Sequence, residues 1–212
     1  MSYGFYLPVV GVVMPSFLGA YPGCATHREE KFRRAVNSFL NQNYTKSKLI
    51  IVSDGCDITQ QIYNDEFSRK SNILFVQIQK QTTFSGSVRQ VGIEYLKKDC
   101  QLITYLDGDD YLFPDHIMRL VHGFAKNINC SWCYADDFVW RNIGANPVKR
   151  GSVPICERIG TSNIIHKSDI KVIWGDGYGH DWRFIKKLLK LKYKKIDHAG
   201  YVVCHVPGQF DN

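Results

Sequence analysis

Four short apolar runs, none of them alternating, constrain the fold more than anything else in the chain: 9–14, 49–52, 73–76 and 102–106. A strand with one face in water alternates polar and apolar residues, whereas one covered on both faces does not. Each run therefore predicts a fully buried strand of the parallel type. Between them, Phe32, Val36, Phe39 and Leu40 fall at helical spacing over 28–42, and Val88, Val91, Tyr95 and Leu96 do so on a second helix. Pro114 and Asp115 open a third helix that carries Ile117, Leu120, Val121 and Phe124 inward. Strand, helix, strand, strand, helix, strand, helix is an α/β pattern with a mainly parallel sheet. Beyond Cys130 the pattern is less regular. It predicts a strand over 132–140, a polar loop over 142–158, a strand over 161–166, a flexible glycine loop over 175–179 and a terminal strand over 201–206.

The 212 residues suit a single domain over 1–212, with a nucleotide half (about 1–112) and an acceptor half (about 113–212). No apolar run approaches the roughly 20 residues of a membrane-spanning helix, and the start lacks a signal-peptide pattern. Seven cysteines, an odd number, read as reduced thiols and imply a cytoplasmic setting. Cys130 and Cys133 form one C-x-x-C, but no second pair completes a zinc site. Lys and Arg number 27 against 20 Asp and Glu, a net charge of +7 that suits an anionic partner. That excess is local: 183–195 holds seven basic residues and no acidic one, which leaves the remainder at 20 against 20. As a helix, 183–195 would turn Ile185, Leu188, Leu189 and Tyr193 inward and its lysines outward. Two readings fit that outer face: a solvated surface, or a peripheral contact with anionic lipid or a polyanion.

In open parallel sheets the ligand sits beyond the carboxyl ends of the strands. The polar residues expected there are Pro15-Ser16-Phe17, Ser53-Asp54-Gly55 and the cluster Asp107-Gly108-Asp109-Asp110. Three carboxylates within four residues repel one another unless cations compensate, which suits Mg²⁺ or Mn²⁺ with substrate phosphates. An acidic turn capping the helix near Pro114 fits the same residues, and Asp110, nearest that helix, is the likeliest structural member. Phe17 and Asp54 could hold a base ring by stacking and by accepting an N–H, or could mark an ordinary turn. Arg89, on the helix opened by Ser85-Gly86-Ser87, offers a fork suited to phosphate. No glycine-rich dinucleotide fingerprint and no phosphate-binding P-loop are present.

The joint order of these segments resembles a family 2 glycosyltransferase of the GT-A fold, from about residue 9 to 205. The segments that carry it are Val-Val-Met-Pro-Ser-Phe, Ile-Ile-Val-Ser-Asp-Gly, Ser-Val-Arg-Gln-Val-Gly and Tyr-Leu-Asp-Gly-Asp-Asp-Tyr-Leu-Phe-Pro-Asp. The resemblance implies a Rossmann-like central sheet flanked by helices, with a small acceptor-side subregion. It implies a nucleotide site built from Pro15, Ser16, Phe17, Asp54, Arg89, Asp107 and Gly108, with Asp109 ligating Mn²⁺ or Mg²⁺. Two departures are Ser53 in place of the usual first Asp and Cys56 in place of Ser.

The segment Gly179-His180-Asp181-Trp182 resembles the family's catalytic-base motif, with His180 where Glu is usual. Asp181 is thereby implied as general base; an N-cap for the following helix is the competing role. Cys204-His205-Val206-Pro207-Gly208 resembles the family's terminal motif, whose His reaches the metal or diphosphate. His180, Trp182, Asp137 and His166 are weaker acceptor-side candidates. The implied activity is inverting transfer from a nucleotide sugar, UDP-sugar first, to a saccharide or lipid-linked acceptor. Two alternatives stand beside it: transfer to modified bases in DNA, and a non-catalytic nucleotide-sugar-binding module. No processive-synthase motif of the Gln-x-x-Arg-Trp kind occurs.

Overall fold

The computed structural model describes residues 7–81, 84–142 and 144–212. The four apolar runs become β1 (Val10–Ser16), β2 (Ser47–Asp54), β3 (Ile73–Ile78) and β4 (Leu102–Tyr105), all mutually parallel in the order β3-β2-β1-β4. Helix α1 (Arg28–Leu40) covers one face: Val10, Val12 and Met14 of β1 pack with Phe32, Val36 and Phe39. Helix α3 (Gly86–Leu96) covers the other, where Val13 meets Val88, Ile93 and Leu96. Burial on both faces is why these strands show no alternation. Gly92 lets α3 lie close, since a Cβ there would sit 2.6 Å from Val13 Cγ1.

The sheet continues as β4-β8-β6-β9-β5, with β7 pairing the later half of β6, beyond the residues that β8 pairs. Here β6 is Trp132–Val139, β7 Val148–Arg150, β8 Ile164–Lys167 and β9 Tyr193–Val203; the short β5 is Tyr111–Leu112. The pairs β4·β8, β6·β8, β6·β7 and β5·β9 are antiparallel, while β6·β9 is parallel. Helices α4 (His116–Ala125) and α5 (His180–Leu188) pack on opposite faces, α4 with α1 and α5 with α3. A hairpin of β10 (His205–Val206) and β11 (Phe210–Asp211) follows.

Several expectations are corrected. A helix, α2 (Asp57–Ile62), runs on into a π-turn (Tyr63–Phe67) between β2 and β3, where none is expected. Tyr95 faces solvent, and Arg89 takes the inward place on α3. The loop 142–158 contains β7, and 161–163 is a 3₁₀ turn ahead of β8. The basic helix 183–195 does not exist as one element. It stops at Leu188, turns, and re-enters as β9 at Tyr193, whose ring stacks on Trp132 of β6 at 4.9 Å. From there Ile196, His198 and Gly200 are buried at every second residue, a strand period rather than a helical one.

Candidate active site

Three of the four parallel strands, β1, β2 and β4, deliver Ser16, Asp54 and, just past β4, Asp107 to one place at the carboxyl edge. A cavity of about 590 Å³ opens there, within the range of small-molecule sites. Pro15, Ser16, Phe17, Asp54, Arg89, Asp107, Gly108 and Asp109 all line it. Asp181, His180, Trp182, His205, Asp137 and His166 do not.

At one end, Asp54 accepts hydrogen bonds from Lys80 Nζ (2.5 Å) and Gln81 N (2.7 Å). Lys80 Nζ also sits 4.2 Å from the centre of the Phe17 ring, a cation–π contact. An aromatic face, a carboxylate and an ammonium thus share one wall. Ser16 Oγ turns away to Thr59 Oγ1 on α2, at 3.0 Å. The two departures from the usual turn are explained locally. Ser53 Oγ accepts from Cys56 N (3.2 Å), and Cys56 Sγ accepts from Leu18 N (3.2 Å), which fastens the loop after β1 to the turn after β2.

At the other end, Arg89 is buried, with its guanidinium spread over the polar groups of two loops. Nη2 donates to Asp107 Oδ1 (2.6 Å), and Nη1 donates to Ser85 Oγ (2.5 Å) and lies 2.9 Å from His180 Nε2 and 3.7 Å from Asp181 Oδ1. Burial alone would favour the neutral form, but Asp107 and Asp181 together hold Arg89 firmly protonated. Arg89 thereby joins the cavity to the N-terminus of α5. Asp181 Oδ1 has no hydrogen-bond partner among the described residues, although His180 Nε2 is 3.1 Å away, out of line for donation. Burial pushes the His180 imidazole below its usual pKa despite Asp181 beside it, so the ring is neutral near pH 7 and can accept from Arg89.

The three clustered carboxylates have three different fates. Asp107 is paired with Arg89. Asp110 turns into the protein, where it accepts from Tyr201 OH (2.8 Å) and Cys204 N (2.7 Å). Burial, then Asp109 and Asp107, push its carboxyl well above the usual range. Its role is structural, as expected, but it braces the end of β9 rather than capping a helix. Asp110→Ala should cost about 2–4 kcal/mol by stripping two buried donors of their acceptor. Thermal unfolding should register this as a Tm lowered by roughly 5–15 °C. Asp109 faces the cavity and carries no ion pair among the described residues, and burial together with Asp107 raises its pKa. Its backbone oxygen is held by Arg34 Nη2 at 2.5 Å.

The described residues contain no group of three His, Cys, Asp or Glu side chains placed to hold a metal ion. Asp109 fits a divalent cation that brings its own phosphate oxygens, as Mg²⁺ commonly does. His205, expected beside it, has both ring nitrogens engaged elsewhere, with Asp211 Oδ1 at 3.1 Å and Gly23 O at 3.0 Å. Asp211 is a hub: it also binds Lys31 Nζ and accepts from Thr26 N (2.6 Å) and Thr26 Oγ1 (2.7 Å). The acceptor-side candidates separate as well. Asp137 is fully buried in a two-point pair with Arg150 (2.9 and 2.6 Å), so it is a structural anion. His166 is fully buried, bonds Tyr105 OH at 2.8 Å and is pushed down to about 4 by burial, so it belongs to the core. Trp182 packs on the core beside Trp174 and Phe184.

Sequence reasoning missed Lys80, Arg28 and Tyr21, which also line the cavity, and Arg34 behind it. Arg28 Nη1 binds Gly19 O, and its guanidinium lies 4.7 Å from the Tyr21 ring. No local motif marks these residues; the convergence of three further cations with Arg89 on one acidic edge is visible only in space.

The glycosyl transferase family 2 profile matches residues 24–196. The uncharacterised glycosyltransferase MG025 of Mycoplasma genitalium is 32% identical over 114 residues, 50% of this chain and 36% of that protein. An uncharacterised glycosyltransferase of Haemophilus influenzae is 25% identical over 123 residues, 57% of this chain and 44% of that protein. The matches therefore span less than half the length of these relatives. Among solved structures, S. aureus TarS 1–349 superposes with a TM-score of 0.71 at 17% identity, over 92% of this chain and 60% of that one. The same TarS fragment in complex with UDP-GlcNAc does so at 0.71 and 16% identity, over 95% of this chain and 60% of that one. The fold is the GT-A arrangement of a curled, mostly parallel sheet between helices. With more than half of its length matched by the family profile, the chain belongs to glycosyl transferase family 2.

Proposed function

We propose that this chain moves a sugar from a UDP-sugar to an acceptor hydroxyl with inversion at the anomeric carbon, and that Asp181 is the general base. The observation that carries the reading is Arg89, which ties the Asp107 end of the cavity to Asp181 through one buried guanidinium. A nucleotide lying from Phe17 and Asp54 toward Asp107 would put its diphosphate near Arg89 and Asp109, with the reacting carbon toward Asp181. Asp54 can accept an imide N–H, and the TarS fragment with which the fold superposes has been solved with UDP and with UDP-GlcNAc. A base on one side of the sugar and the leaving diphosphate on the other favour direct displacement, hence inversion.

Asp109 is the residue proposed to hold Mn²⁺ or Mg²⁺. When bound, such an ion neutralises charge on the leaving diphosphate. The chain's own residues supply the rest. Phe17 and Asp54 orient the base, Arg89 fixes the two carboxylates it bridges, and Asp181 takes the acceptor proton. The nucleotide half and the acceptor half are proposed as one domain over 1–212, with a surface saccharide or lipid-linked sugar as acceptor. The basic run 183–195 reaches the site only at its start, where Arg183 lies two residues from Asp181 in α5. Its strand portion starts where β6 begins, at the edge of the sheet away from the cavity, so any contact it makes with an anionic surface is remote from the chemistry.

A thermal-shift titration tests the donor half of the reading. UDP and UDP-GlcNAc with Mn²⁺ should raise Tm in a concentration-dependent way, because a ligand of the native state stabilises it by mass action. No shift with any of the common nucleotide sugars, with or without metal, would sink the assignment.

A further inference from the structure

We propose that Phe84 and Tyr178 form a saccharide-stacking subsite at the mouth of the cavity, which seats the acceptor pyranose beside Asp181. The inference rests on the glycosyltransferase reading of the cavity and adds to it the chemistry of the acceptor. Phe84 is 51% exposed and Tyr178 87% exposed, yet the two rings meet edge to face at 6.1 Å. Phe84 lines the cavity, and its other side stacks on His180 at 5.9 Å and 24°. The aromatic pair is therefore continuous with the donor cavity at one side and with the His180–Asp181 step at the other.

The backbone that presents Tyr178 is fastened. Expected to be flexible, the 175–179 loop is stapled by Arg183, whose guanidinium donates to the carbonyls of Asp176, Gly177 (3.0 Å) and Tyr178 (2.7 Å). Asp176 Oδ1 accepts from Ser87 N at 2.7 Å, at the start of α3. Gly86 allows this contact, since a Cβ there would fall 2.1 Å from Gly175 O. An aromatic side chain left in solvent on a stapled loop is preorganised for a ligand that covers it, because little order is lost on binding. A pyranose matches the surroundings. Its C–H face packs on a ring, and its hydroxyl edge can reach the exposed part of the Asp181 carboxylate, a side chain 39% exposed.

The test uses methyl β-D-glucopyranoside, methyl β-D-galactopyranoside and methyl N-acetyl-β-D-glucosaminide as probes, titrated by NMR into the full chain holding UDP. At least one should bind the wild-type protein, with Tyr178 and Phe84 ring signals shifting. Tyr178→Ala and Phe84→Ala should each weaken it about fivefold or more. Tyr178→Phe should keep it, and Tyr178→Ala should bind UDP as the wild type does. If UDP binds and none of the three glycosides does, or if the alanine variants bind them equally well, the subsite is refuted while the proposed function stands. If UDP itself fails to bind the wild type, the proposed function falls first.

Discussion

Asp181→Asn is expected to lower sugar transfer by about 10²–10⁴-fold while leaving UDP affinity unchanged. Asn keeps the size and the polar contacts of the side chain but cannot take a proton, so only the base role is removed. Geometry favours a clean result. Asp181 does not line the cavity proposed for the donor, and its Oδ1 makes no hydrogen bond that the amide would break. Its pairing with Arg89 at 3.7 Å is long, and Arg89 keeps Asp107 as a closer partner at 2.6 Å. Release of UDP from UDP-GlcNAc, in the presence of acceptor and Mn²⁺, measures the rate; calorimetry with UDP measures donor binding. Wild-type turnover by Asp181→Asn would remove the base assignment. Asp109→Ala should also abolish transfer, but with a different signature, a loss of the metal dependence of donor binding.

A second large effect is expected in the pH dependence of stability, from the pair His116 and His198. His116 Nδ1 and His198 Nε2 lie 3.2 Å apart between α4 and β9, against Gly200, where a Cβ would fall 2.6 Å from His198 Nε2. Burial lowers His116 to about 3, with His198 beside it adding to the effect, and burial lowers His198 to about 4. Asp115 and Asp197 pull His198 back up, while Arg119 and Lys149 push it down. Unfolded, both titrate near 6.5. Between pH 6.5 and about 4 the unfolded state therefore binds more protons than the folded one, and stability falls as pH falls. The contribution is whole above pH 6.5. Each histidine can withdraw up to about 1.4 kcal/mol per pH unit below it. Asp110, raised in the fold, acts in the opposite sense, so the comparison must be with a variant. Urea unfolding of wild type and His198→Asn at pH 7, 6, 5 and 4.5 should show the slope against pH flattening by about one proton in the variant. Parallel slopes would show that the pair does not titrate with folding.

The cavity side of the site was legible because its strands are covered on both faces. Continuous apolar runs locate their own ends, and the ends carry Phe17, Asp54 and Asp107 to one edge whatever the loops do. What failed to show was whatever depends on a distant partner. Tyr193 looked helical because Ile185, Leu188 and Leu189 precede it at helical spacing, yet Trp132 claims its ring for the sheet. Asp110 sits beside a helix in sequence, while its partners Tyr201 and Cys204 are more than ninety positions away. His166 and Asp137 have the residue types of an acceptor site, but Tyr105 and Arg150 take them into the interior. Lys80 has no motif at all and is identified only by the Asp54 carboxylate and Phe17 ring it touches.

The clamp around Asp211 gives the molecule a mechanical linkage. Thr26, Lys31 and His205 all grip that carboxylate, His205 also holds Gly23, and Asn212 is fastened to Trp140 and Arg34. The loop between β1 and α1, gripped at Gly23 and Thr26, also contributes Leu18, Ala20 and Tyr21 to the cavity wall. Arg34 holds the backbone of Asp109 with the same nitrogen that reaches Asn212. A pull or a twist applied at residue 212, whether from a fused tag or from further chain, would be carried by these bonds to both sides of the cavity.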